Sequence, residues 1–255
     1  MQDLTAARIL KDIKIVIIDN PYKQIGNPEV KDLFGELVSL RAEGYGPEYS
    51  PNYLPLDSAD FVVPQYLFCV DGDNGLYPIG GYRIISLNRC RDYLIHPPFL
   101  RTVEDSASQP HLDAVHAIIG QHSGPNQNLG YGGGFTIRKH FRQYPELSEL
   151  MKELLVAQLV DDMEQHVFSG MLTGGIIRFK TDQFFQKAGF ERLRWNSQSL
   201  EPIQKKSAFG EPVLLLELKT PSSWALECRR KHQDRLNKRV MFLADPASSL
   251  WKTAA

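Results

Sequence analysis

The sequence predicts one α/β domain whose mixed, mostly antiparallel central sheet is flanked by helices. Three observations carry that prediction. Short runs rich in isoleucine, valine and leucine, bounded by turn residues, alternate with helical patterns. Two of the runs are joined by Gly-Asp-Asn-Gly, the chemistry of a tight hairpin. The longest amphipathic pattern lies between two strands, so the elements interleave rather than segregate.

Residues 13–19 (IKIVIID) are an apolar, β-branched run stopped by Asn20-Pro21 and read as the first strand. In residues 28–42 the apolar positions Val30, Leu33, Phe34, Leu37 and Val38 recur every three or four residues behind Asn27-Pro28, a cap followed by an N1 proline. That is an amphipathic helix. Residues 65–71 and 78–87 form the hairpin. His96-Pro97-Pro98 opens a short helix to Val103, and residues 112–119 offer another. A strand entered through glycines follows at 132–138. Residues 146–165 then form the long helix, with one stripe of Leu147, Leu150, Leu154, Leu155, Leu159 and Met163, and with Asp161 and Asp162 off it. A strand over 167–177 is interrupted by Gly174-Gly175. Residues 181–187 make a short helix ended by Gly189, and 191–195 and 213–218 supply two more strands. The loop-like stretches are 44–58, 71–80 and 120–134. Residues 1–220 read as the domain and 221–255 as a basic helical extension.

At 255 residues, with 42% hydrophobic and 23% charged content, the chain has the composition to bury a sizeable core, which excludes disordered, collagenous and disulfide-scaffold classes. Its 29 basic and 30 acidic residues leave a formal charge of −1, so no global field recruits nucleic acid. Cys69, Cys90 and Cys228 are too few and too scattered for a disulfide framework or a metal site, which points to a reducing, cytoplasmic compartment. The first residues lack the apolar core of a secretory signal, and no stretch approaches the ~20 apolar residues of a spanning helix.

The segment TDQFFQKAGFERL (181–193) resembles the second half of the GNAT acyltransferase fold, where a short helix ends in Gly-Phe before a strand. The N-terminal half resembles one branch of it, the acyl-homoserine lactone synthases and related N-acyl amino acid synthases. The residues that carry this are Leu40-Arg41 closing the first helix, Asp57-x-x-Asp60, Tyr66-Leu67, and Gly80-x-x-Arg83. The matches cover roughly residues 30–195, with 90–130 where that branch carries extra helices.

The resemblance implies an N-acyltransferase using an acyl thioester, on CoA or an acyl carrier protein, and a small amine acceptor such as an amino acid or its derivative. It implies Asp57 and Asp60 as groups that orient or deprotonate the amine, with Arg41 and Arg83 holding an anionic acceptor group. Asp57-Ser58 reads equally as a loop cap and Arg83 as an exposed strand residue. The oxyanion hole of this fold maps to 133–136, including Phe135 and Thr136, and the donor loop to Arg142, Gln143, Tyr144 and Ser148 beside a helix N-terminus that favours anions. Departures are informative. The donor loop has Pro145 and Leu147 where the family has glycines, and the central strand keeps only the threonine of a Glu-x-Ser/Thr-Arg run. Phe185 stands where many GNAT enzymes place a proton-donating tyrosine; it lines an acyl tunnel or, with Phe184, fills core. Two other readings follow from these departures: a plain acetyl-CoA-dependent enzyme with a drifted loop, and a non-catalytic acyl- or CoA-binding module.

His111, His116 and His122 are spaced by five and six residues, which does not put two ligands on one helix face, so no metal site is expected. The basic run Arg229, Arg230, Lys231, Arg235, Lys238 and Arg239 is read either as a solvated helix face or as a dock for an acidic carrier protein.

Overall fold

The computed structural model describes residues 6–45, 56–73, 75–205, 210–245 and 249–251. Helix α1 (Ala6–Asp12) leads into β1 (Lys14–Ile18), a short α2 (Pro21–Gln24) and the long α3 (Pro28–Tyr45). Strands β2 (Gln65–Gly72) and β3 (Gly75–Ser86) form the hairpin, closed between Gly72 and Gly75, whose φ is +116°. Three helices follow: α4 (Leu87–Asp92), α5 (Pro98–Ser106) and α6 (Gln109–Gln121). Next come β4 (Leu129–Ile137), α7 (Pro145–Glu164), β5 (Gly170–Ile176) and α8 (Thr181–Lys187). The chain then runs through β6 (Phe190–Arg192), β7 (Arg194–Trp195), β8 (Gln198–Ser199), β9 (Ile203–Lys205) and β10 (Glu211–Leu218). It continues with α9 (Ser223–Lys231), α10 (Gln233–Asn237) and β11 (Val240–Phe242).

Among the described residues, nine strands form one sheet in the order β11-β1-β2-β3-β4-β5-β10-β6, with β9 also on β10. The β1·β11 and β4·β5 pairs are parallel and the others antiparallel. Alternation along each strand sends side chains to opposite faces. On one face Leu67 and Cys69 pack under α3, while Ile85, Leu172 and Leu215 pack under α5 and α6. On the other face Tyr66, Phe68 and Ile84 pack under α7.

Five expectations need correction. The stretch 71–80 is not a loop, because the turn is so tight that pairing resumes at Gly75; likewise β4 already begins at Leu129, inside the predicted 120–134 loop. Gly174 and Gly175 do not interrupt β5; both pair with β10, and a Cβ on Gly175 would lie 2.5 Å from the Asp182 Cα of the overlying α8. Asp161 and Asp162 are buried, because α1, α9 and α10 cover the side of α7 that faces away from the sheet. The 221–255 segment is not wholly helical: β11 adds a strand beside β1. That covering layer also accounts for the basic run. Arg229 and Arg239 pair with Asp161, Lys231 with Glu153 and Arg230 with Glu227, and Arg235 donates to the Leu10 carbonyl at 2.7 Å. Arg229, Arg235 and Arg239 thus bind carboxylates and carbonyls of the chain, while Arg230, with a side chain 79% exposed, Lys231 at 54% and the exposed Lys238 form a solvated face.

Candidate active site

Strands β4 and β5 start as a parallel pair and then part. Their last pairing is Gly132 with Thr173, although β4 runs on to Ile137 and β5 to Ile176. Beside this opening the β3·β4 ladder slips, so that Gly81 faces Thr136 while Arg83 faces Gly133. The extra residue is a β-bulge, and Gly134 within it has φ +71°, a backbone conformation that glycine adopts without steric cost. On its β5 side, the backbone of 133–137 therefore faces a cavity of about 1210 Å³ rather than another strand. The cavity reaches both faces of the sheet, because Ile85 and Leu215 line it on one side and Ile84 and Leu155 on the other.

On the α3 face, Asp60 is buried between two arginines. It is ion-paired with Arg41 and lies 2.5 Å from Arg83, which also grips Asp57 with bonds of 3.0 and 2.7 Å. Gln65 completes the cluster, accepting from Arg41 at 2.7 Å and donating to the Asp60 carbonyl at 2.9 Å. Asp57 and Asp60 also cap a 3-10 turn reciprocally, the Asp57 N–H donating to Asp60 and the Ala59 N–H to Asp57. Burial works to raise the Asp60 carboxyl, but Arg83 and Arg41 outweigh it and hold the group below the usual carboxylate range. Burial also opposes the charge on Arg83, and Asp60 and Asp57 more than offset it.

The four residues Arg41, Asp57, Asp60 and Arg83 are thus brought together. Asp60 does not line the cavity, and two cations hold its charge, so it fixes the positions of the two arginines. Both guanidinium groups already hold carboxylates of this chain, and the formal charges of the four residues cancel. Asp57, with a side chain 36% exposed, is the acidic member that faces the cavity. Its reading as a simple loop cap is true as well: one carboxylate serves both purposes.

Tyr45 belongs to the same group and was missed. It sits one helical turn after Arg41, and a Cβ on Gly134 would lie 3.0 Å from its hydroxyl. Burial raises its pKa, with Arg41 and Arg83 opposing and Asp60 and Asp57 adding a smaller rise, so the hydroxyl carries its proton at neutral pH. The i, i+4 spacing from Arg41 was the available signal.

On the α7 face, Ser148, Lys152, Leu155 and Leu159 line the cavity as one row along the helix, polar toward its N-terminus and apolar toward its middle. The apolar end is closed by Phe184, Phe185 and Phe190, with Phe185 packed against both of the others at ring distances of 5.1 and 5.2 Å. Phe185 thus both fills core and lines the cavity. Arg142 reaches the polar end, its guanidinium donating to the carbonyls of Ile137 at 2.8 Å and Gly44 at 3.4 Å. Phe135 and Thr136 line the opening itself, and the buried Thr136 hydroxyl has no hydrogen-bond partner. Gln143 is exposed and Tyr144 packs toward the core as the N-cap of α7; neither lines the cavity.

The cavity holds no recognisable nucleophile or metal cluster among the described residues. Cys69, Cys90 and Cys228 are buried thiols, and burial pushes the last two up to about 12 and about 11. His111 is held by Ser108 and the Glu201 carbonyl, His122 by Ser169, and His116 is exposed.

No family model matches this sequence, and no curated protein matches it. Solved structures do resemble it in fold. The acyl-homoserine lactone synthase LasI is 16% identical, with 84% of this chain and 93% of that one covered at a TM-score of 0.47. BjaI, a CoA-dependent acyl-homoserine lactone synthase solved with SAM and isopentyl-CoA, is 14% identical, covering 90% and 92% at 0.49. FeeM, an N-acyl amino acid synthase from uncultured soil microbes, is 13% identical, covering 81% and 90% at 0.42.

Proposed function

We propose that this chain is an N-acyltransferase that moves an acyl group longer than acetyl from a pantetheine thioester to the nitrogen of a small amine. The observation that carries the reading is the parting of β4 from β5 at a glycine-rich bulge. There, backbone N–H groups meet the cavity without a neighbouring strand, as an oxyanion site requires. The row on α7 orients the donor. Arg142, Ser148 and Lys152 suit the polar arm, while Leu155, Leu159 and Phe185 suit an acyl chain, which an acetyl group would leave unfilled.

The amine arrives from the α3 face. Asp57 orients it and takes the proton that the attacking nitrogen loses, and the β4 backbone receives the charge on the carbonyl oxygen. As the new C–N bond forms and the C–S bond breaks, the thiolate leaves and is protonated from the Tyr45 side. Arg83 and Arg41 hold Asp57 and Asp60 in place, directly or through each other. Because Arg229, Arg235 and Arg239 of the C-terminal basic run are engaged within the chain, the run does not argue for a carrier-protein partner, and the donor is read by the pantetheine arm that CoA and carrier proteins share.

Free-thiol release is the test, with acyl-CoAs from acetyl to palmitoyl, the matching acyl-pantetheines, and a mixed amine panel. Release that rises beyond acetyl supports the reading. Melting-temperature increases with acyl-CoA but no release with any amine would replace it with a binding module, and neither response would overturn it.

A further inference from the structure

A tyrosine hydroxyl stands over a glycine on each side of the opening between β4 and β5. On the β4 side it is Tyr45, whose hydroxyl would lie 3.0 Å from a Cβ on Gly134. On the β5 side it is Tyr131, whose hydroxyl would lie 2.9 Å from a Cβ on Gly174. Gly174 follows Thr173, the last residue of β5 to pair with β4, while Tyr131 sits on β4 opposite Leu172. The Tyr131 side chain therefore leans along the strands and across to the far lip of the opening, and the missing Cβ lets its hydroxyl approach the β5 backbone. Both hydroxyls lie on the face of the sheet that α3, α5 and α6 cover, the face from which the amine arrives.

Tyr131 is fixed in place by its ring, which lines the cavity and stacks on Phe99 at 4.7 Å with planes 8° from parallel. Its hydroxyl makes no hydrogen bond among the described residues. Burial pushes its pKa up to about 12, with Arg83 opposing, so the oxygen keeps its proton at neutral pH and still has a lone pair to offer. Helix α5 also lines the cavity with Arg101, Thr102, Asp105 and Ser106, but these belong to the covering helix, whereas the Tyr131 oxygen stands at the strand opening itself.

A neutral primary amine has one lone pair and two N–H bonds, and holding both N–H bonds fixes the direction of the lone pair. Asp57 holds one of them and takes that proton. We infer that the Tyr131 oxygen accepts the other, so that Asp57 and Tyr131 together aim the nitrogen at the thioester carbonyl in the opening. This rests on the acyltransferase reading and adds Tyr131 to it as a residue that touches the amine. The two tyrosines then act at different atoms, Tyr45 at the sulphur and Tyr131 at the nitrogen. Tyr131 keeps its own proton throughout, and no covalent bond to it forms or breaks.

Tyr131→Phe keeps the ring on Phe99 and removes only the hydroxyl. Because that hydroxyl has no partner within the described residues, the melting temperature should stay within about 2 °C of the parent's. Thiol release is then followed with one acyl-CoA and with paired amines that differ by one N–H: glycine against sarcosine, ethanolamine against N-methylethanolamine, and the best primary amine of the panel against its N-methyl form. A secondary amine has a single N–H, which goes to Asp57, so it has nothing to lose at Tyr131. The variant should therefore lose roughly ten-fold or more in kcat with a primary amine and less than about two-fold with its N-methyl partner, at an unchanged KM for acyl-CoA. Parent-like kcat with primary amines would overturn the inference. Equal losses with both members of a pair would do the same, since a merely structural tyrosine impairs both alike. A parent that releases thiol with no amine removes the acyltransferase reading and this inference with it, whereas a parent that releases thiol, followed by either of those variant results, removes the inference alone.

Discussion

Gly132 and Thr173 are the last residues at which β4 and β5 pair, and the Thr173 hydroxyl closes the pair by donating to the Gly132 carbonyl at 3.0 Å. Beyond them the two strands go separate ways and the cavity begins.

That position is a place to plug the opening. A Cβ on Gly132 would make only ordinary contacts, none closer than 3.9 Å, so a side chain fits there without a clash. Gly132→Val should fold with stability within about 1 kcal/mol of the parent, since a β-branched residue suits a strand. It should weaken acyl-CoA binding at least ten-fold. Isothermal titration with the parent's best acyl-CoA checks the second outcome, and urea unfolding the first.

Removing the charge of Asp60 leaves two buried guanidinium groups without their shared partner. Asp60→Asn should therefore destabilise the fold by roughly 3–5 kcal/mol, the usual cost of breaking a buried ion pair from one side. The folded-state pKa of Asp60 lies below its ordinary value of 3.8, so its contribution is complete above about pH 4 and is lost as pH falls through the lower, folded value. Melting curves from pH 2 to 6 should accordingly show a shallower acid limb for the variant than for the parent.

Tyr45 is predicted to act on kcat. Tyr45→Phe keeps the ring in place and removes only the hydroxyl beside Gly134, so kcat should fall by about 10²-fold, in the range of lost general-acid assistance. The KM for acyl-CoA should stay within a factor of about three. A variant with unchanged kcat under single-turnover conditions would remove Tyr45 from the chemistry.

Asp162 makes stability depend on pH in the opposite direction from Asp60. It is fully buried and accepts hydrogen bonds from Tyr66 at 2.7 Å and Gln158 at 2.8 Å, with the Trp251 ring N–H at 3.3 Å. Burial pushes its carboxyl up to about 7, the hydrogen bonds and Arg239 only partly opposing. The folded state therefore holds this proton more tightly than the unfolded chain does. The resulting stabilisation is complete below about pH 4, falls as pH rises from there to about 7 and levels off above it, a change on the order of 4 kcal/mol over that interval. Differential scanning calorimetry between about pH 4 and 8 should show the parent losing stability up to about pH 7 and Asp162→Asn losing much less.

The strand and helix order was legible because each element advertises itself locally: α8 runs over 181–187 as read, and α3 starts at the N1 proline as read. What the sequence hid were relationships between distant segments. Asp161 and Asp162 look like solvated positions on an amphipathic helix, and nothing near them in sequence tells of Arg229, Arg239 or Trp251. The site behaves the same way. Arg41, Asp57, Asp60 and Arg83 were named on a family resemblance, and the structure brings these four residues together. Which carboxylate faces the cavity depends on three-dimensional enclosure that no local pattern encodes, and so does the empty space between β4 and β5. Gln143 and Tyr144 were drawn in by adjacency to Arg142, yet a helix start turns successive residues in different directions.

Strand β11 has a consequence for the solubility of shortened forms of the protein. Val240, Met241 and Phe242 lie against Val16, Ile17 and Ile18, so the backbone of β1, four of whose five residues are buried, has no open side there. A chain cut before residue 240 would present Lys14–Ile18 as a bare edge, a template for a strand of another molecule. Such a truncation should give aggregates rather than a smaller active domain, however far residue 240 lies from the cavity.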